Sequence, residues 1–143
     1  MSAVLAEAPR GRTRAPTAGA EISSCGRYRW RLWRVWNSSR DQVLFVMLNP
    51  STADASHDDP TIRRCMTFAR SWGAGGIEVV NLFAFRATDP RALRRRRYCE
   101  VVGDDNDAYL WGAMMRCSPI VCAWGAHQRV DKRAREVLDL LRR

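Results

Sequence analysis

Three short runs constrain most strongly how this chain can fold: VLFVML (43–48), IEVVNLFAF (77–85) and PIVCAW (119–124). Each is largely apolar at odd and even positions alike, so as a strand it must be covered on both faces. The segments between them change period. After Asp59-Pro60, an N-cap with proline at the first helical position, Ile62, Cys65, Met66, Ala69 and Trp72 recur at helical spacing. Gly73 ends that helix. Asp105-Asn106-Asp107 opens a helix to about Arg116, and Val130, Ala134, Val137, Leu138 and Leu141 form one stripe on a terminal helix. DPRALRRRR (89–97) predicts a turn and a short helix carrying the arginines Arg94–Arg97.

Upstream, YRWRLWRVW (28–36) alternates apolar residues with arginines, as a strand with one greasy face does. A phase slip at Leu32-Trp33 predicts a bulge. Asn37 to Asp41 is turn chemistry, so this strand and 43–48 are expected to pair as a hairpin. The predicted order is β-β-α-β-α-β-α. It gives a three-layer αβα domain with a mostly parallel central sheet, an N-terminal strand hairpin and no internal repeat.

A chain of 143 residues, 46% hydrophobic and 27% charged, suits one domain with a real core. Residues 1–24, rich in Ala, Arg, Pro and Ser, read as a disordered leader without the apolar stretch of a secretory signal. Residues 25–143 form the domain. The formal net charge is +9, nearly all of it arginine, since Lys132 is the only lysine. Such a surface attracts phosphates, although a compositional preference for arginine gives the same charge. The five cysteines form no C-x-x-C pair and no zinc-type spacing. Scattered in apolar settings, they suggest reduced thiols and a cytoplasmic protein, and no apolar stretch is long enough to span a membrane.

In open α/β sheets, ligands bind beyond the carboxyl ends of the strands. The three interior strands end in NPSTAD (49–54), NLFAFRAT (81–88) and WGAHQ (124–128), which should meet at one edge. Asn49 and Asn81 each offer a donor and an acceptor, suited to a nucleobase edge or to holding a water; each can equally close a local turn. For Asn81, within an apolar run, the functional role is favoured. Pro50, Ser51, Thr52 and Asp54 share the first loop, with Asp58 as a further candidate base. Asp59 is mostly helix-start grammar. Arg63, Arg64, Arg86 and Thr88 are placed to hold a phosphate or carboxylate, and Phe83 or Phe85 to stack on a base. Trp124 and Gly125 form the third wall. His127 fits a cap better than an acid–base role. Asp54, His57, Asp58 and Asp59 are oxygen-rich enough to consider magnesium, but no second ligand cluster accompanies them. Neither metal nor cofactor is therefore expected. The arginines 94–97 read as a solvated face, with Tyr98 beside them leaving a phosphate-tracking role open.

The blocks LNPSTADASHDDPTIRR, GGIEVVNLFAFRATDP, GDDNDAYL and VCAWG resemble the domain of unknown function 1643 family, over about residues 27–130. That resemblance carries no settled activity. A more distant likeness links the Asn49-Pro50 loop, the strand ending in Asn81 and the strand ending in Trp124-Gly125 to the uracil-DNA glycosylase superfamily. The likeness implies that the first loop positions an attacking water and that Asn81 reads the base. It also implies a further strand leading to a His-Pro-Ser type loop. This chain stops at Leu141-Arg142-Arg143 before any such element, so a C-terminal truncation and a sheet one strand short are expected.

Three functions follow as expectations. The first is hydrolysis or modification at a nucleobase or nucleoside linkage, with Asn49, Asp54 or Asp58 catalytic. The second is a non-catalytic module binding a nucleotide or nucleic acid. The third is metal-assisted nucleotide processing.

Overall fold

A computed structural model describes residues 17–127 and 129–143. Five strands form one sheet: β1 (Thr17–Ile22), β2 (Arg29–Val35), β3 (Gln42–Met47), β4 (Gly76–Asn81) and β5 (Ile120–Cys122). Their order is β1-β2-β4-β3-β5. The β1–β2 and β2–β4 pairs are antiparallel, and β4–β3 and β3–β5 are parallel. The sheet is thus mixed α/β rather than mostly parallel. α1 (Pro60–Ser71) packs on one face; α2 (Tyr98–Val102), α3 (Asn106–Arg116) and α4 (Val130–Leu141) pack on the other.

Four expectations change. The expected hairpin of 28–36 with 43–48 does not form, because β4 inserts between β2 and β3; β2 pairs instead with β1. Two adjacent glycines permit the insertion. A Cβ on Gly75 would stand 1.9 Å from the Asn37 carbonyl oxygen, and one on Gly76 2.6 Å from that of Arg34. The Asn37–Asp41 loop closes around this bare backbone, with Trp36 and Asn37 N–H both donating to the Gly75 carbonyl and Gly75 N–H to that of Asp41.

Residues 17–22, assigned to the disordered leader from sequence, form β1, while residues 1–16 of that leader lie outside the described residues. The irregularity of β2 falls at Trp30, opposite Glu21 and Ile22, not at Leu32-Trp33. Finally, β4 ends at Asn81 and β5 at Cys122, both sooner than expected, and β5 is a half-buried edge strand rather than an interior one because nothing pairs beyond it among the described residues. The segment before Arg95 is a 3-10 turn (Pro90–Arg94) capped by Asp89, and α2 begins only after the arginines.

The core divides by face. Leu32, Val43, Phe45, Ile77 and Val79 meet Ile62, Cys65 and Ala69 of α1. Leu44, Val46, Val80 and Leu82 meet Leu110, Ala113, Ala134 and Val137 of α3 and α4. The Asp59 cap on α1 is as expected, its carboxylate accepting from Ile62 N–H at 2.9 Å. Among the described residues no helix is long and apolar enough to cross a membrane.

Candidate functional site at the carboxyl edge

Because β3, β4 and β5 run parallel, their carboxyl ends do share one edge of the sheet. The loop after β3, residues 49–59, is held there by polar contacts from three directions. The bulge at Trp30 turns Arg29 to the α1 face, where Leu32 and Arg34 also point, and all three are buried. Arg34 donates from Nη2 to the Asp54 carbonyl (2.6 Å) and from Nε to the Asp58 carboxylate (2.9 Å). Arg29 Nη1 donates to the Ala53 carbonyl at 3.0 Å. Arg86 Nε reaches the Ser51 carbonyl at 3.2 Å. Asn49 Nδ2 donates to the Ala87 carbonyl (2.8 Å), and Ala87 N–H answers to the Pro50 carbonyl (2.9 Å).

These contacts decide several expected roles. Asn49 spends its amide hydrogens on Pro50 and Ala87 carbonyls. Asp54 accepts from the Ser56 and His57 backbone N–H groups, both at 2.9 Å, and its carboxyl is held down to about 2 by them and by the His57 ring. So acidic a group is a weak proton acceptor. Asp58 is an ion-pair partner of Arg34, and Arg63 Nη1 donates to the Asp58 carbonyl. Arg86 serves the loop rather than an open site. Ser51 is half-buried, Pro50 is buried, and Thr52 and Thr88 are exposed. Phe83 lies wholly in the core against Tyr98, and Phe85 is covered by Tyr28 and Arg96, so neither presents a face to a base. No group of three or more His, Cys, Asp or Glu side chains gathers as a metal site among the described residues.

Asn81 differs from all of these. It is 1% exposed at the end of β4, and neither its Nδ2 nor its Oδ1 has a hydrogen-bond partner among the described residues. A buried amide left so is unusual, and each unmade bond costs on the order of 1–3 kcal/mol. Asn106, also buried, serves the Asn81 main chain instead. Its Nδ2 donates to the Asn81 and Leu82 carbonyls, both at 3.0 Å, and its own Oδ1 is unpartnered. Arg29 Nε is a further unpartnered donor. Desolvation pushes the Arg29 guanidinium down to about 10, leaving it charged at neutral pH.

Beside Asn81, its register partner Met47 lines a cleft of about 390 Å³ between α1 and the end of β5. The walls are Phe45, Met47, Cys65, Phe68 and Ala123, and the one cation is Arg64. Arg64 is exposed and makes no ion pair among the described residues. Trp124 and Gly125 face away from this cleft, into a wider hollow against Val130 and Ala134 of α4. His127 is fixed there as a cap. Its Nδ1 accepts from Arg129 N–H at 3.2 Å, so Nε2–H donates to the Pro90 carbonyl at 3.1 Å.

The fold therefore brings Asn49, Asp54, Asp58, Arg86 and Asn81 to one edge and leaves Arg64 and Asn81 with open polar capacity. Arg29, Arg34 and Asn106 were missed from sequence. The only signal for the first two was that arginines alternate with core residues, a pattern that equally fits a solvated strand face.

The chain belongs to the family described as a protein of unknown function (DUF1643), whose model matches residues 29–143. No curated protein and no solved structure matches the chain, so the likeness to the uracil-DNA glycosylase superfamily rests only on the residues quoted for it.

Proposed function

We propose that the carboxyl edge is a binding site for a nucleobase-bearing anion, a nucleotide or a nucleotide-like end group, with the base directed to Asn81 and the phosphate to Arg64. The observation that carries this reading is the buried Asn81 amide with neither polar atom partnered. A donor and acceptor on one planar group match the amide edge of a base. Apolar walls with few polar groups, at a volume of about 390 Å³, suit a small flat ligand. Met47 lines the cleft and is the register neighbour of Asn81, which is not itself in the lining. The unbranched Met47 side chain changes rotamer readily and would swing aside to admit the base.

Binding is favoured over hydrolysis of an N-glycosidic bond. A hydrolase of the expected kind would use Asn49, Asp54 or Asp58 on a water; the Asn49 amide hydrogens go to the Pro50 and Ala87 carbonyls, the Asp54 carboxylate closes its own turn, and Asp58 pairs with Arg34. A metal-assisted reaction has no gathered ligand set behind it among the described residues.

Calorimetric titration with the common nucleoside monophosphates and the free bases tests the reading. At least one monophosphate should bind the wild type, and Arg64→Ala should weaken it about tenfold while free-base binding changes little. The proposal fails if no nucleotide binds a folded protein, or if Arg64→Ala binds every one as well as wild type.

A further inference from the structure

The arginines of β2 end on protein oxygens, whereas three in the segment after β4 form no ion pair among the described residues. Residues 86–97 carry six arginines and one carboxylate, Asp89. Arg91 pairs with that Asp89, and Arg97 with Glu100. Arg94, Arg95 and Arg96 are exposed and form no ion pair among the described residues. Three uncompensated cations in succession repel one another, which a polyanion would relieve.

Their setting is more than a solvated run. Arg95, Arg96 and Arg97 line a surface hollow of about 620 Å³ together with Ala92 and Glu100, whose carboxylate pairs with Arg97 and leaves Arg95 and Arg96 uncompensated there. Arg96 is laid over the Phe85 ring, 4.6 Å from its centroid, and this limits the rotamers it must give up on binding. From α4, Lys132 sits over the Tyr98 ring at 4.3 Å, and Arg129 Nη2 donates to the Arg94 carbonyl at 3.4 Å. The basic face thus spans two elements held in register. It also lies on the carboxyl-edge side, since it follows the end of β4 and is clamped to the segment after β5 by His127 on Pro90.

We infer that this face tracks the sugar–phosphate backbone of a nucleic-acid strand, with Arg94, Arg95 and Arg96 on successive phosphates. A strand of phosphates fits a concave basic hollow; a flat anionic bilayer does not enter one. The exposed large apolar side chains (Phe68, Trp72, Trp111, Met115 and Leu141) all lie off this face, so nothing there inserts into lipid. Planar guanidinium groups pair with phosphate oxygens two at a time.

The inference stands apart from the nucleotide reading of the cleft and is separable from it. Fluorescence anisotropy with a labelled oligothymidylate and a labelled oligouridylate, across a salt series, reads the face directly. Wild type should bind with a strong salt dependence. The triple variant Arg94→Ala, Arg95→Ala and Arg96→Ala should lose about tenfold or more and flatten the log–log salt slope by about two, from roughly 0.7 per phosphate contact on a single strand. The matching triple lysine variant should recover most of the affinity. Nucleoside monophosphate binding should survive in the triple alanine variant, whose three positions lie outside the cleft, so a failure of the cleft reading shows separately. Unaltered oligonucleotide affinity and salt slope in the folded triple alanine variant would overturn the inference. So would arginine-dependent binding to phosphatidylserine vesicles without binding to either oligonucleotide.

Discussion

On the α3–α4 face of the sheet, Arg31, Arg116 and the buried Arg133 end mainly on carboxylates; on the α1 face the buried Arg29 and Arg34 end mainly on the carbonyl oxygens of one loop. Glu78, 1% exposed in the middle of β4, lies between Arg31 Nε at 2.9 Å and Arg116 Nη2 at 2.6 Å. Arg133, also 1% exposed, joins Asp107 and Glu136 and donates from Nε to the Leu82 carbonyl at 2.7 Å. Across the sheet, Arg29 has no carboxylate partner among the described residues, and Arg34 has one, Asp58, beside several carbonyls. The difference separates two uses of buried charge. Neutralised clusters tie α3 and α4 to the sheet. On the other face, cations facing main-chain oxygens shape a loop and leave the carboxyl edge electropositive, with Asn81 and Arg29 Nε still open to a partner.

Breaking the neutralised side should have the largest effect. Arg133→Ala takes one donor from Asp107, Glu136 and the Leu82 carbonyl at once and empties a fully buried site, and should cost about 3–5 kcal/mol in urea denaturation, with Tyr98 still donating to Glu136 and Asn106 to Leu82. A loss below about 1 kcal/mol would mean that the cluster does not hold α4 to the sheet. On the loop side the two arginines should separate. Arg34→Met removes the ionic partner that Asp58 has among the described residues and should cost about 2 kcal/mol, with faster amide exchange over residues 54–58. Arg29→Met replaces a desolvated cation lacking a carboxylate and should be near neutral or stabilising. Equal losses for Arg29→Met and Arg133→Met would erase the contrast between the faces.

The smallest effect concerns pH. Asp54 is held at about 2 against an ordinary 3.8, so its stabilising contribution is fully present above about pH 4 and is lost as pH falls through 2. A carboxyl-detected NMR titration should find it the most acidic side chain of the loop, and Asp54→Asn should reduce the acid dependence of amide exchange at Ser56 and His57. An Asp54 midpoint at 3.8 or above would show that the turn is not formed in solution.

The parts of the molecule legible in the sequence are those specified locally. The interior strands, the Asp59-Pro60 start of α1 and the stripe Val130–Val137 of α4 follow from period and capping chemistry. So does the edge on which Asn49 and Asn81 meet, because two β-α-β crossovers fix strand direction. What escaped was decided at a distance. The β1 segment TAGAEI has no strand-like pattern of its own; it pairs through its backbone, with Gly19 letting the Trp33 ring lie against it. The place of β4 between β2 and β3 depends on Gly75 and Gly76 meeting a loop nearly forty residues earlier in the chain. Loop-pinning by Arg29 and Arg34 uses main-chain carbonyls, which leave no residue-type signature. Phe83 and Phe85 looked available for stacking only because an apolar strand end does not reveal which helix covers it.

Asn81→Ala examines the central claim most directly, with stability and nucleotide binding measured on the same preparation. An amide that is buried for a ligand rather than for the fold gains nothing from folding. The variant should therefore keep its unfolding free energy in urea within about 1 kcal/mol of wild type, the lost desolvation penalty offsetting the small cavity. Its affinity for the bound monophosphate should fall at least about tenfold. A variant destabilised by about 2 kcal/mol or more that still binds like wild type would contradict the account and make Asn81 a structural residue.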